Sequence, residues 1–495
     1  MDTYVSTTPL FAMLVSLVVV PLILMSGRHP NLREFWTILA AILKFALVCS
    51  LLPGALQGQS AAITLLEIAP GIALELKADP FGVFFALIAS GLWIPTSFYS
   101  IGYMRGNGEG QQTRYFASFA VCLSATIGIA FSANLLTFII FYEILTLATY
   151  PLVIHKENKE AIAAGRKYLA YTLTAGLLLI IGAGVVYHLT GTLNFEAGGI
   201  LEHGMLNPHA ALTLFIVFVA GVGVKAGIMP LHSWLPAAMA APTPVSALLH
   251  AVAVVKSGVF ALARVTGFIF GPETLHHFAL NDLLVWIALT TILLASLLAF
   301  RQDNLKKRLA YSTVGHLSYI VLGVALLTPS GWTGGLFHIA THATMKITLF
   351  FCAGAIYVNL HRTHISQLDG IGKVMPWTMG AFTVGSLGLC GVPLVNGFLS
   401  KWFLGVGTLE AGLPFALLVL VLSGLLNAGY FFPILYRAFF KEGSGLEQYT
   451  EARPAMVIPL VSTAVLSLVF GLFPNLVFQF FELATQVTLS VIGGS

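Results

Sequence analysis

The chain reads as an all-α integral membrane protein of about fourteen transmembrane helices, and three observations carry that reading. Of its 495 residues 57% are hydrophobic and only 9% charged, a balance that excludes a soluble globular domain. Apolar runs long enough to cross a bilayer recur from one end to the other. The charges outside those runs are distributed by span parity, as the topology rule for membrane helices requires. No hydrophilic stretch is long enough to form a separate soluble domain, and the net charge of +4 sits in short loops, so a nucleic-acid surface is not indicated.

The fourteen spans fall at about 8–26, 36–53, 81–103, 115–131, 134–154, 168–189, 210–240, 243–268, 282–300, 309–328, 333–358, 375–409, 412–436 and 456–480. The sequence begins MDTYVSTTPL without a basic leader, so the first run is expected to be a retained helix. Cys49, Cys122, Cys352 and Cys390 all lie in apolar runs without metal-ligand spacing, which supports neither a disulfide framework nor a bound metal.

Loop charges test the span count. Seventeen of the 24 Lys and Arg residues lie in loops that follow odd-numbered spans, against only Lys77 in the opposite loops. The other six, Lys44, Lys225, Lys256, Arg264, Lys346 and Lys401, lie inside spans. The positive-inside rule then puts the odd-to-even loops in the cytoplasm and both termini on the outer face of a prokaryotic cell membrane.

The seventh and twelfth spans are too long for one straight helix and are interrupted at Pro230 and at Gly391-Val392-Pro393. Each is expected to be a discontinuous helix, which a membrane tolerates where the link lines a polar cavity or is buried in protein. The two breaks stand five spans apart, so five-span units containing them would cross the membrane in opposite senses. The chain divides accordingly into three N-terminal helices (1–110), a first five-helix repeat (115–268), a second, inverted repeat (282–440) and a C-terminal helix (441–495).

The charged residues within spans are the candidates for function. A charge at mid-bilayer costs roughly 2.5–3.5 kcal/mol on insertion scales, so several in one chain need a polar pathway to justify them. Lys225 and Lys256 bracket the first break, and Glu143 is the only acidic residue deep in any span. A carboxylate and an ammonium stabilise each other's charged forms in low dielectric, so a Glu143–Lys225 pair is expected, either as a static tie between helices or as part of a proton path. His338, His342 and Lys346 fall at i, i+4 and i+8 on one face of the eleventh span; His250 and His316 lie in the eighth and tenth, and Lys401 follows the second break. Such a set, linked by water, can pass protons. Haem is disfavoured, because His338 and His342 share a helix beside a cation. Lys44 has no evident acid partner and is expected to snorkel or to pair with another subunit; Arg264, near a span end, is expected to snorkel.

The stretches FYEILTLATYPLV, GVGVKAGIMPLHSWLPAAMAAPTPVSALLHAVAVVKSGVF, RQDNLKKRLAYSTVGHLSYIVLG, HIATHATMKITLFFCAG and GVPLVNGFLSKWFL resemble the proton-translocating antiporter-like subunits shared by Mrp-type cation/proton antiporters, respiratory complex I and membrane-bound hydrogenases. The resemblance runs from about residue 79 to about 440 and is most like the D subunit of Mrp complexes. It implies fourteen core helices in two inverted repeats, and proton translocation through Glu143, Lys225, Lys256 and Lys401, with His338, His342 and Lys346 matching the polar face of the eleventh span; the residue reading above adds His250 and His316 as supporting groups. It also implies partner membrane subunits, of the Mrp A, B, C, E, F and G kind or their complex I and hydrogenase counterparts, with protons and Na+ as the ions moved. The chain has no iron–sulfur, flavin or nucleotide motif, so no cofactor is expected, and in a redox-driven complex it would be a transducer without redox chemistry of its own. A passive scaffold leaves the membrane lysines unexplained, and a sugar or drug transporter would need an amide- and aromatic-lined cavity instead.

Overall fold

A computed structural model describes residues 2–443 and 448–493. Twelve helices among the described residues are long and apolar enough to cross a membrane. Two more elements complete the fourteen expected spans. Leu305–Ala325 carries three cations in its first turn and His316 midway, which makes it the less apolar of the full-length helices. The twelfth span is two 15-residue halves, Pro376–Cys390 and Asn396–Glu410.

Polar side chains set where many of the helices begin. The first free backbone N–H groups of a helix need acceptors, and in a membrane protein these must come from the chain itself. Asp79, Asn134, Asn158, Asn207, Asn304 and Thr328 each cap a helix by accepting from the N–H three residues on. Both breaks are made by glycine. Pro208–Ala226 ends at Gly227 (φ +70°), one turn before Pro230, and Pro376–Cys390 ends at Gly391 (φ +88°), so Pro230 and Pro393 lie in the links, not at the last helical turns. A left-handed residue lets the chain leave a helix while the last carbonyls still find donors, and glycine enters that region without a Cβ clash.

Four features depart from the expected pattern. First, the helical bundle carries a small sheet: β1 (Thr3–Val5) pairs parallel with β2 (Ser60–Ala69), which pairs antiparallel with β3 (Ile72–Ala78). Secondly, the eighth span is one buried run from Thr243 to His277 with two π-helical turns, Leu248–Val252 and Val265–Phe270, on either side of Val254–Arg264. Thirdly, the fourteenth span ends at Leu472, short of 480, because Pro474 follows; left-handed Phe478 and Gln479 then turn the chain into a separate helix, Phe480–Ile492. Lastly, neither Lys44 nor Arg264 snorkels. Lys44 is fully buried, with Nζ 3.3 Å from the Leu123 carbonyl and 3.5 Å from that of Met13. Arg264 makes a bidentate pair with Asp79, 2.7 Å on each arm, inside a box of Phe81, Phe195, Phe260 and Phe268. A guanidinium has a carboxylate partner and four ring faces within reach there, which outcompetes a long stretch toward water.

Loops collect at the two ends by span parity. At one end Arg114 meets Glu157, Asn304 bridges to His364, and Gly370 N donates to the Arg437 carbonyl. At the other, Leu76 bridges to Ser132, Asn134 to Asn194, and Ser330 Oγ donates to Glu410. The N-terminal strand and the C-terminal helix both belong to this second end, where Gln486 reaches the Leu56 carbonyl.

Candidate functional site

The site is a line of buried polar side chains through the middle of the bundle, built where broken or wound-out helices meet. At the first break, the Lys225 ammonium is fully buried and donates to the Tyr142 carbonyl at 2.6 Å while lying 3.3 Å above the centre of the Tyr142 ring. A ring face and a carbonyl oxygen together supply the negative potential that a desolvated ammonium needs. The expected Glu143–Lys225 ion pair is not closed: among the described residues Glu143 enters no ion pair, and its buried Oε1 has no hydrogen-bond partner. The reason is steric direction. Tyr142 and Glu143 are consecutive on a helix, so their side chains diverge, and Glu143 turns instead toward Gly176 of Lys159–Thr190, where any Cβ would collide with its carboxylate.

The eighth span then lies directly on the first break. Gly258 packs against the Lys225–Ala226 peptide, with no room for a Cβ. Two residues earlier, Lys256 Nζ stands 2.8 Å from His342 Nδ1. His342, His338 and Lys346 all lie buried on the eleventh span, Pro329–Leu360, as their spacing indicates, but each meets a different partner. Lys346 donates to the Leu309 carbonyl at 3.1 Å. His338 Nε2 is 3.2 Å from His316 Nδ1, and His338 Nδ1 is 2.8 Å from Ser400 Oγ. The rings of His316, His338 and His342 lie with centroids 5.4–5.8 Å apart. His250 stands apart from this cluster: it sits in the first π-helical turn, its ring 4.8 Å from that of Phe350, and neither ring nitrogen has a partner among the described residues.

At the second break the connections are closer. Lys401 donates to the Leu389 carbonyl, one of those left over where Pro376–Cys390 ends, and lies 5.1 Å from the Tyr319 ring. The same carbonyl accepts from Asn427 at 3.1 Å, and Asn427 reaches His316 Nε2 at 3.1 Å. Helix C-termini carry partial negative charge, so a lysine there is held electrostatically without any acidic side chain. The structure thus brings together Lys256, His316, His338, His342 and Lys401, brings Lys225 to within one helix packing of them, and leaves Glu143 and His250 at the margins.

Sequence reasoning overlooked Tyr142, Ser400, Asn427 and Tyr430. Neutral groups inside a span do not attract notice as charges do. A usable signal existed for the last two, because Asn427 and Tyr430 are three apart on one face of Pro414–Phe440.

These features define a class: a multi-pass membrane protein with a buried cationic and imidazole line between two discontinuous helices, the architecture of an ion-translocating subunit. The family model described as NADH:quinone oxidoreductase/Mrp antiporter, TM matches residues 132–427, more than half of the chain and both breaks. The chain belongs to that family. Subunit N of NADH-quinone oxidoreductase from Desulforudis audaxviator is 32% identical over 421 residues, covering 82% of this chain and 83% of that one. The component B of hydrogenase-4 from Escherichia coli is 33% identical over 343 residues, covering 67% of this chain but only 50% of the relative. Among solved structures, the Mrp complex from Dietzia sp. DQ12-45-1b contains a chain of the same fold, with TM-score 0.87, 22% identity and coverage of 99% and 98% of the two chains.

Proposed function

We propose that this chain is the proton-translocating subunit of a multi-subunit Mrp-type monovalent cation (Na+)/proton antiporter. The observation that carries the proposal is the contact between Lys256 and His342, continued sideways by the His316–His338–Ser400 contacts, all fully or nearly fully buried. Imidazole and amine groups at hydrogen-bond distance in a dry interior serve proton transfer. A change at Glu143 alters the proton affinity of Lys225 through the low-dielectric field between them. The proton then passes through Lys256 and the histidine cluster to Lys401. Each break lies in the fourth helix of an inverted five-helix unit, the units being 115–268 and 282–440. The end of the bundle that holds Arg114, Lys156, Arg362 and Arg437 faces the cytoplasm, which leaves both termini outside.

Lys225→Ala, Glu143→Ala and Lys401→Ala should each abolish cation-dependent proton movement in vesicles that contain the assembled complex. Near-normal transport by all three variants, with assembly intact, would overturn the proposal. A second host is favoured by one observation, the match to subunit N over most of that relative's length: the chain would then move protons in a redox-driven complex. Identification of the subunits that co-purify with it decides between the two, because only the redox complex brings iron–sulfur or flavin subunits.

A further inference from the structure

The hydrogen-bond directions around Asn427 are determined, and they impose an order on the histidines. We infer that Asn427, oriented by Tyr430, is a positioning residue that fixes His316 and His338 in one tautomer and separates them from Lys401; the inference rests on the proton-relay reading above. Tyr430 Oη lies 2.5 Å from Asn427 Oδ1 and 2.9 Å from Ser312 Oγ. The Leu389 carbonyl only accepts, so the Asn427 atom that faces it is the amide nitrogen, and the amide oxygen faces the Tyr430 hydroxyl. The Asn427 amide nitrogen therefore faces His316 Nε2 and the Leu389 carbonyl, each at 3.1 Å, and its two hydrogens serve those two acceptors.

A neutral imidazole that accepts at Nε2 carries its proton on Nδ1. His316 Nδ1–H then donates to His338 Nε2 at 3.2 Å, which leaves the His338 proton on Nδ1, where it donates to Ser400 Oγ at 2.8 Å. Ser400 passes its own hydrogen to the Gly397 carbonyl at 3.2 Å. Four groups thus share one donor direction, running from Asn427 toward the second half of the broken twelfth span.

That direction has a consequence for transfer. A proton that the relay brings to His316 can leave toward Lys401 only from Nε2, the nitrogen that faces Asn427. Nε2 is covered by an amide N–H, and an amide does not release its proton near neutral pH. Asn427 therefore acts as a plug between the Lys401 ammonium, which shares the Leu389 carbonyl with it, and the histidine pair. Transfer from His316 to Lys401 needs the amide to swing away, and the Tyr430 hydroxyl restrains that swing.

The test uses the assembled complex in lipid, with 15N-labelled histidine and solid-state NMR; the His316 signals are assigned by their loss in His316→Gln. The native protein should show His316 protonated on Nδ1 only. In Asn427→Ala both tautomers of His316 should appear, and proton conductance without the coupled cation should rise several-fold in vesicles. Tyr430→Phe keeps the amide and nearly all the volume, and should give a smaller admixture of the second tautomer with a smaller leak. An unchanged single tautomer in both variants overturns the inference, as does a mixed tautomer with native conductance. The relay reading fails separately, through near-normal transport in all of Lys225→Ala, Glu143→Ala and Lys401→Ala, while the tautomer result still tests Asn427.

Discussion

The two helix breaks solve the same problem with different chemistry. At the first, the lysine precedes the break and is held by one aromatic ring and one mid-helix carbonyl, both from Tyr142, with its expected acid turned away. At the second, the lysine follows the break and is held by a carbonyl of the broken helix end, which an amide ties to the histidine cluster. One lysine takes its hydrogen bond and its ring contact from a single residue, with Glu143 acting on it only through space; the other belongs to a hydrogen-bonded network. A lysine on a single support changes partner easily, whereas one in a network moves only with its neighbours.

This contrast can be broken most severely at the packing of the eighth span on the first break. Gly258→Val places side-chain atoms on the Lys225–Ala226 backbone, which cannot yield as a flexible side chain can. Destabilisation of about 3 kcal/mol is expected, read as a lowered thermal midpoint of the purified complex. The next largest effect tests the single support. Tyr142→Leu removes the ring under Lys225 and should weaken its hold by about 2 kcal/mol, with a marked loss of transport, whereas Tyr142→Phe keeps the ring and should behave like the native protein. The Tyr142 hydroxyl has no partner among the described residues, so its removal leaves nothing unsatisfied. The smallest effects compare the two glycines. Gly227→Ala and Gly391→Ala should each lose about 1 kcal/mol for a left-handed backbone position. Only the second should also slow transport, because its Cβ would lie 3.0 Å from Lys401 Cδ, while that of the first meets nothing nearer than Leu317 at 3.4 Å.

Much of this organisation was legible in the residues. Spans announce themselves because a bilayer demands about twenty apolar residues, and the breaks because Pro230 and Gly391-Val392-Pro393 interrupt runs too long for one helix, although the residue that ends the first half-helix, Gly227, was not read. Side-chain direction was not legible. Glu143 and Lys225 act on each other electrostatically but close no ion pair, since consecutive helical residues face different ways and Lys225 is taken up by Tyr142. The hairpin went unread although Ile63-Thr64-Leu65 and Ile72–Ala78 flank a Pro70-Gly71 turn, because apolar residues on both faces obscure the period of two. The partner of Lys44 was not readable and Arg264 was misjudged, because Met13, Leu123 and Asp79 are brought to them only by how distant helices pack.

The parallel pairing of β1 with β2 has a meaning for biogenesis. Residues 3–5 join residues 60–62 across a connection made of the first two membrane helices. The strands can meet only when that helical pair has crossed and returned, bringing residue 60 back to the side that the N-terminus already occupies. A first helix left uninserted or inverted would leave β1 stranded on the wrong side and β2 with an unpaired edge. Closure of this small sheet thus requires that the first two helices have crossed and returned, which ties the N-terminal segment to their orientation.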